Sequence, residues 1–404
     1  MTNKNFILNF LRNYLQMVIF IFPFIALGQS KKEIISMQKQ KIDSLNEALE
    51  IEKSNFMKAQ KKFNSNNEQI KIINEDVKNW HDQYVNSYHK IDFHIIKCPN
   101  SIKKDADQLI DYFNEVATTE IEKTRAIYVW IAHNIKYDDL AYNSKSYLDS
   151  SPEVVLESKK AVCAGYAELF TFFCQKMNLE VKTISGYAKG YSYKKGESFE
   201  NKSSNHAWNI VKIDGVWRVF DVTWGDGYGI KDRNGKLVSI DQFTDDWFNV
   251  SPYETIFSHY PEDEEFLLIK DKLTLKQFES LPEIEVCAFK TGFLDAKETL
   301  QNSLIGNKVL PPYMYCLNTF IKVIQAPKGV TLAKNTIYNF EFYIPRAKSI
   351  FLVDEANNYY NFKKKENEPI FTYNYSQKST GKLSIAIEYF NEKNPKVFLE
   401  YNVK

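Results

Sequence analysis

Three side chains near the middle of this sequence have the types and the order that nucleophilic thiol chemistry requires. Cys163 stands before a helical pattern, His206 lies within the run 205–209, and Asp221 lies within the run 220–225. A thiol needs a base to become a thiolate, and the base needs an acceptor that holds its ring in place. These residues can supply the nucleophile, the base and the residue that orients the base.

The sequence around Cys163 predicts the start of a helix. Residues 164–177 contain no proline, and their apolar residues recur at spacings of three and four. The free N–H groups and the positive dipole end of a helix N-terminus favour a thiolate, and they can also stabilise an oxyanion. Because a lone cysteine is more often a buried core residue, this interpretation depends on His206 and Asp221.

A predicted hairpin brings His206 close to Asp221. The runs 206–213 and 216–223 are rich in β-branched and aromatic residues, and the Asp-Gly pair at 214–215 is a strong signal for a two-residue turn. In that register Asp221 is a diagonal neighbour of His206 on one face, with the two backbones about 7–8 Å apart. The alternative is a solvated hairpin face on which the two residues have no joint role.

These motifs resemble the core of the transglutaminase-like superfamily. The runs that carry the resemblance are 126–138, 160–167, 205–209 and 217–224. The later runs 246–248, 251–252 and 259–261 are similar to the branch that includes kyphoscoliosis-peptidase-like and cytokinesis-related proteins. The three motifs 160–167, 205–209 and 217–224 stand in the expected order, which makes the resemblance specific.

The resemblance implies a papain-like α+β core with a Cys-His-Asp triad, in which Cys163 is the nucleophile, His206 the base and Asp221 the orienting residue. Ala161 departs from the pattern, because many members have glycine two residues before the cysteine. The expected chemistry is attack on an amide carbonyl to give a thioester, which water hydrolyses or an amine aminolyses. We therefore expect a thiol acyltransferase or peptidase acting on protein or peptide amides. The alternative is a catalytically silent scaffold that binds peptides or partner proteins.

Residues 1–28 have the pattern of a secretory signal peptide. Lys4 and Arg12 supply positive charge, and the apolar run 18–27 is shorter than the ~20 residues of a membrane span. The small residues at 26 and 28 form a cleavage signal. We expect an exported protein, which is periplasmic, at the cell surface or extracellular; an uncleaved N-terminal membrane anchor is the alternative.

Residues 29–94 are predicted to form a long helix of coiled-coil type. They contain no glycine and no proline, and large apolar residues recur every seven positions from Ile35 to Ile91. The second apolar position of a coiled-coil repeat lies three residues after the first, and here it is polar at Gln38 and Glu52. One interpretation is a homo-oligomer assembled through this helix; the other is a helix that folds back or lies along the catalytic domain.

A predicted transglutaminase-like catalytic domain over 95–275 is followed by a different pattern over 276–404. Seven short alternating runs are candidate strands: 320–325, 338–344, 349–353, 358–363, 370–375, 382–389 and 397–403. They predict an all-β, immunoglobulin-like sandwich whose role is binding or support.

Composition limits the partners. Lys plus Arg is 52 and Asp plus Glu is 51, so we expect no nucleic acid partner. The six histidines lack ligand spacing and the five cysteines lack a C-x-x-C pair, so we expect no metal and no cofactor. In an oxidising compartment four cysteines can form two bridges and leave Cys163 free. These four are Cys98, Cys174, Cys287 and Cys316. Their wide spacing favours no particular pairing, and we expect most of them to be buried and reduced.

Overall fold

The computed structural model describes residues 39, 43, 88–146, 149–307, 310–317, 321–366, 368–376, 380–390 and 392–404. Those from 88 onward belong to one compact unit, Trp80–Lys404. The predicted signal peptide and most of the predicted long helix lie outside the described residues, although residues 88–96 are helical. Within the described part of the chain, no helix combines the length and the apolar character needed to cross a bilayer.

The predicted α+β class is confirmed. The helices are α1 (Ala106–Asn114), α2 (Glu120–Asn134), α3 (Asp139–Ser144), α4 (Pro152–Ser158), α5 (Cys163–Lys176), α6 (Val222–Asp226), α7 (Pro252–Thr255), α8 (Leu275–Ser280), α9 (Val286–Lys290) and α10 (Ala296–Leu304). The strands of the first half are β1 (Lys136–Tyr137), β2 (Lys160–Ala161), β3 (Val181–Ala188), β4 (His206–Ile213), β5 (Val216–Phe220), β6 (Gly227–Lys231), β7 (Leu237–Asp241) and β8 (His259–Pro261). β5, β4, β3 and β8 form one antiparallel sheet in that order.

Helix α5 packs against strand β4 and against helix α2. α2 begins with a capping box, in which the Thr119 side chain accepts from the Glu122 N–H and the Glu122 side chain accepts from the Thr119 N–H. Its Trp130 ring meets Phe173 of α5 edge to face, with centroids 5.6 Å apart, and both side chains are fully buried. This apolar contact fixes α5, and with it the position of Cys163 at its first residue.

The hairpin between β4 and β5 has the predicted register. Asp214 and Gly215 both have positive φ, 49° and 78°, as a two-residue turn of this kind requires. Ile213 pairs with Val216, as expected from the sequence.

The prediction that the second strand continues to Thr223 is wrong. β5 ends at Phe220, and α6 begins at Val222. The reason is local: the Asp221 carboxylate accepts a hydrogen bond from the Trp224 N–H and so caps a short helix. The chain therefore turns at the residue that the site needs.

The C-terminal part contains two sheets that pack face to face. Its strands are β9 (Tyr313–Met314), β10 (Lys322–Gln325), β11 (Thr331–Leu332), β12 (Ile337–Tyr343), β13 (Ala347–Asp354), β14 (Tyr359–Asn361), β15 (Lys363–Lys364), β16 (Ile370–Ser376), β17 (Gly381–Tyr389) and β18 (Lys396–Val403). One sheet has the order β10-β12-β16-β15, and the other has the order β11-β18-β17-β13-β14 with β9 beside β18. Ring contacts of 5.8 Å join the sheets, Phe340 to Tyr401 and Phe342 to Phe398. Every predicted run contains a strand; the immunoglobulin-like topology and the four segment boundaries stay predictions.

A disulfide joins Cys287 of α9 to Cys316, which lies between β9 and β10, with their Cα atoms 5.6 Å apart. Cys98 and Cys174 are buried free thiols, as expected, whereas the expectation of reduced thiols is wrong for the bonded pair. The two bonded cysteines meet because α9 folds back onto the sandwich, a contact between distant segments that sequence spacing does not reveal.

Arg125 of α2 is a buried cation that ties three segments together. Its Nε and Nη2 each donate to one oxygen of Asp92 at 2.7 Å, and its Nη1 donates to Asp245. The Arg125 side chain is 2% exposed, and its guanidinium also lies over the ring of Phe248, 4.9 Å from the centroid. The ion pairs connect the helical residues 88–96 to the loop that follows β7.

We expect Arg125→Met to lower the free energy of unfolding by about 3 kcal/mol, because it leaves two partly buried carboxylates without their cation. Lys104→Met is the matched control: the Lys104–Glu157 pair is exposed, and its loss should cost less than about 1 kcal/mol. Denaturant unfolding of both variants measures the difference. Equal losses would show that Arg125 does not connect these segments.

Candidate active site

Cys163 is the first residue of α5, and Val162 is its N-cap. The preceding strand β2 pairs in parallel with β1, so the chain passes from strand to helix at the cysteine. Gly165 faces this turn: a Cβ added there would lie 2.7 Å from the Cβ of Ala161. The Ala161 departure is therefore accommodated because residue 165 has no side chain.

The structure brings together all three residues that the sequence singled out. His206 is the first residue of β4, and its Nε2 lies 2.7 Å from Oδ2 of Asp221. Their side chains are 7% and 1% exposed. The His206 side chain is also hydrogen-bonded to the Cys163 thiol, and the Ala207 N–H donates to the same sulfur. Because Nε2 is taken by the carboxylate, Nδ1 is the ring nitrogen left for the sulfur.

The electrostatics of this chain favour a thiolate beside an imidazolium. Burial alone would raise the pKa of the Cys163 thiol, but the hydrogen bond and charge of His206 and the Ala207 N–H hold it below its usual value. Burial opposes a charged His206, yet Asp221 and Cys163 raise its pKa to about 10. Burial would also raise the pKa of Asp221, but His206 and a second histidine, His259, keep it far below the usual range.

A family model described as the transglutaminase-like superfamily matches residues 107–222, a range that includes Cys163, His206 and Asp221. Residues 107–222 are a transglutaminase-like domain. The predicted papain-like core is thereby confirmed.

Three relatives indicate the branch of the superfamily to which this domain is similar. Human kyphoscoliosis peptidase is 34% identical over 178 residues, which are 44% of this chain and 26% of that protein. Hillarin of Drosophila melanogaster is 31% identical over 188 residues, 45% of this chain and 23% of hillarin. Cytokinesis protein 3 of Schizosaccharomyces pombe is 24% identical over 184 residues, 45% of this chain and 20% of that protein. The chain spans about a quarter of the length of these relatives. Their similarity to this chain confirms the predicted branch of the superfamily.

Sequence reasoning assigned no role to His259, which strand β8 places beside Asp221. Its Nε2 lies 3.1 Å from the same Asp221 oxygen that His206 contacts, and its side chain is 1% exposed. In the sequence, the run 259–261 contributes only to the family resemblance. No spacing rule points to His259, because strand β8 reaches the site by pairing with β3.

Among the residues that the structure describes, two side-chain groups have the composition of a metal site. The ligand atoms of His206, Asp221 and His259 lie within 4.8 Å of one another. Their hydrogen bonds require a proton on each Nε2, and a cation bound there would have to displace both protons. The other group includes the sulfur atoms of Cys287 and Cys316, which are joined in the disulfide and cannot act as thiolate ligands.

A buried acid, Asp226, contacts Tyr166, which lies about one helical turn after Cys163 on α5. The Tyr166 Oη is 3.0 Å from the Ile135 carbonyl oxygen and 2.8 Å from Oδ2 of Asp226. Two hydrogen bonds among three oxygens need two protons, and the carbonyl has none, so the arrangement favours a protonated Asp226. Burial raises the pKa of Asp226 to about 7, although Tyr166 and Lys136 act in the opposite direction.

This proton makes stability depend on pH. The pKa of Asp226 in the folded state lies above the value of about 3.9 for an unfolded chain, so its contribution is present at acidic pH and is lost as pH rises to about 7. Asp226→Asn keeps a donor towards Tyr166 and removes the titration. Relative to wild type, the variant should gain unfolding free energy on the order of 1 kcal/mol per pH unit between pH 5 and 7.

Denaturant unfolding at several pH values measures this difference. Asp111→Asn, at an exposed position of α1, is the matched control and should follow the wild-type curve. A constant difference between Asp226→Asn and wild type over this range would refute the assignment of a buried proton to Asp226.

Proposed function

We propose that this chain is an exported thiol enzyme that transfers the acyl group of a protein or peptide amide through a thioester on Cys163. The observation that carries the proposal is the continuous hydrogen-bond chain from the Cys163 thiol through His206 to Asp221. It joins a nucleophile, a base and an orienting carboxylate in the order that such chemistry uses.

The steps follow from the geometry. The thiolate of Cys163 attacks the amide carbonyl carbon, and the carbonyl oxygen takes the negative charge. The first N–H groups of α5 have no partner within the helix, so they and the dipole can stabilise this oxyanion. His206 then gives its Nδ1 proton to the leaving amine as the C–N bond breaks. The thioester that remains is cleaved by water in a hydrolysis or by an amine in a transamidation.

Asp221 remains ionised throughout this cycle. Its carboxylate stabilises the charge on His206 and keeps the Nε2–H directed at Oδ2, so Nδ1 stays directed at the sulfur. The rings of Trp208 and Trp224 lie 6.0 Å and 5.4 Å from the His206 ring and limit the access of water to the pair. A dry environment strengthens each of these electrostatic contacts.

The disulfide supports the export part of the proposal. Such bonds persist in oxidising compartments, and Cys287–Cys316 leaves the Cys163 thiol free. A signal peptide over residues 1–28 accounts for export, and an N-terminal anchor would deliver the same domain to the same compartment. The homo-oligomer through residues 29–94 remains a proposal about assembly, separate from the chemistry.

Alkylation tests whether Cys163 is an activated thiol. With iodoacetamide on the full chain near neutral pH, Cys163 should react at least about tenfold faster than Cys98 and Cys174, because its thiolate is stabilised and the other two are buried. His206→Ala should slow Cys163 and move its reactivity to higher pH. Peptide mass spectrometry gives the rate at each site.

The slow thiols are the internal control, since their rates should not change in His206→Ala. Equal rates at all three cysteines in the wild type would favour a catalytically silent scaffold over an enzyme.

A glutamine-containing peptide and a labelled amine test turnover and acceptor choice together. We expect amine incorporation or release of ammonia, both abolished in Cys163→Ala. Asp221→Asn should lower kcat about 10²-fold or more, since a neutral amide cannot stabilise the imidazolium. Asp111→Asn should match wild type; unchanged turnover in Asp221→Asn would remove that residue from the mechanism.

A further inference from the structure

The Asp221 carboxylate accepts hydrogen bonds from three separate elements. Oδ1 accepts from the Trp224 N–H of α6 at 3.0 Å. Oδ2 faces Nε2 of His206 on β4 at 2.7 Å and Nε2 of His259 on β8 at 3.1 Å. The proposed triad uses only one of the two imidazoles that share this oxygen.

The sheet register places both imidazoles on one face. β3 lies between β4 and β8, with Gly186 opposite His206 and Ala188 opposite His259. Positions 186 and 188 are two residues apart and so project to the same face. The two rings have centroids 5.4 Å apart. Gly186 permits this close packing, since a Cβ there would lie 2.5 Å from the Trp208 ring.

The surroundings of His259 select one tautomer. Burial lowers the pKa of its ring, so the neutral form is the relevant one. Its Nδ1 lies 2.8 Å from the Ser258 Oγ, which is also 3.2 Å from the Thr255 carbonyl oxygen. If Ser258 donates to Nδ1, the ring proton is on Nε2 and points at Asp221. The opposite tautomer would aim a bare nitrogen at a carboxylate oxygen, which is repulsive.

Resting on the proposed function, we infer that His259 is a positioning residue: it donates Nε2–H to Asp221 and fixes the carboxylate orientation that holds His206 against Cys163. Two donors on Oδ2 and one on Oδ1 leave the carboxylate no free rotation. His259 also supplies a donor where a buried carboxylate would otherwise need water, because Asp221 is 1% exposed. It touches no reacting atom and acts through Asp221.

Variants at His259 test this role on the full chain. His259→Gln places an amide N–H within reach of Asp221, whereas His259→Leu removes the donor. The readout is the rate of Cys163 alkylation by iodoacetamide as a function of pH. In His259→Leu the alkylation rate at neutral pH should fall about tenfold, since outer partners of active groups typically contribute at this scale. The acid limb of the profile, which is the pH range over which the rate rises as the thiolate forms, should move to higher pH. His259→Gln should retain most of the wild-type rate.

The outcomes separate this inference from the proposed function. If wild-type Cys163 is not labelled selectively, the proposed function fails. If wild-type Cys163 is labelled selectively and His259→Leu has the same alkylation rate and the same acid limb, the positioning role fails and the proposed function stands. A purely structural role would lower the amount of folded protein without moving the limb, and labelling of buried Cys98 and Cys174 reports that loss in the same samples.

A second measurement needs no variant and decides the matter if His259→Leu does not fold. Nitrogen NMR of the wild-type imidazoles distinguishes a protonated ring nitrogen from a bare one. We expect His259 to carry its proton on Nε2, with Nδ1 bare. A proton on Nδ1 and a bare Nε2 would overturn the inference, because His259 would then have no donor for Asp221.

Discussion

A single buried carboxylate, that of Asp221, organises this site. Removing a carboxylate from water is costly unless hydrogen bonds and charge compensate for the lost hydration. Here the Trp224 amide, His206 and His259 provide three donors from three different elements. Because the ionised form is stabilised in this way, the negative charge is available to hold a proton on His206, and that imidazolium in turn stabilises the Cys163 thiolate.

The same residue also shapes the backbone. Asp221 ends β5 and caps α6, so the chain turns where the carboxylate must face β4 and β8. The Cys163 side comes from a different part of the fold, in which α2 and the sheet hold α5 through buried aromatic contacts such as Trp130 with Phe173. The geometry of the site thus depends on the packing of α5 against β4, the strand that carries His206.

Local signals in the sequence predicted the structure formed by residues that are close together along the chain. The Asp-Gly turn predicted the hairpin register, and the helical spacing after Cys163 predicted the start of α5. The end of β5 was missed, because strand propensity continues past Asp221 while a side-chain cap stops the strand. His259 and the disulfide were missed because each depends on contacts between distant segments, β8 with β3 and α9 with the loop before β10, for which the sequence has no periodic signal.

The most direct test of this account is an NMR titration of the His206 imidazole in the wild-type chain. We expect the His206 pKa to be raised far above the usual 6.5, to about 10, since the charge of Asp221 and the Cys163 thiolate both favour the protonated ring. In Cys163→Ala the pKa should fall but remain elevated, because Asp221 is still present. A His206 that titrates near the usual value in the wild type would contradict the account, as the carboxylate would then not be controlling the imidazole.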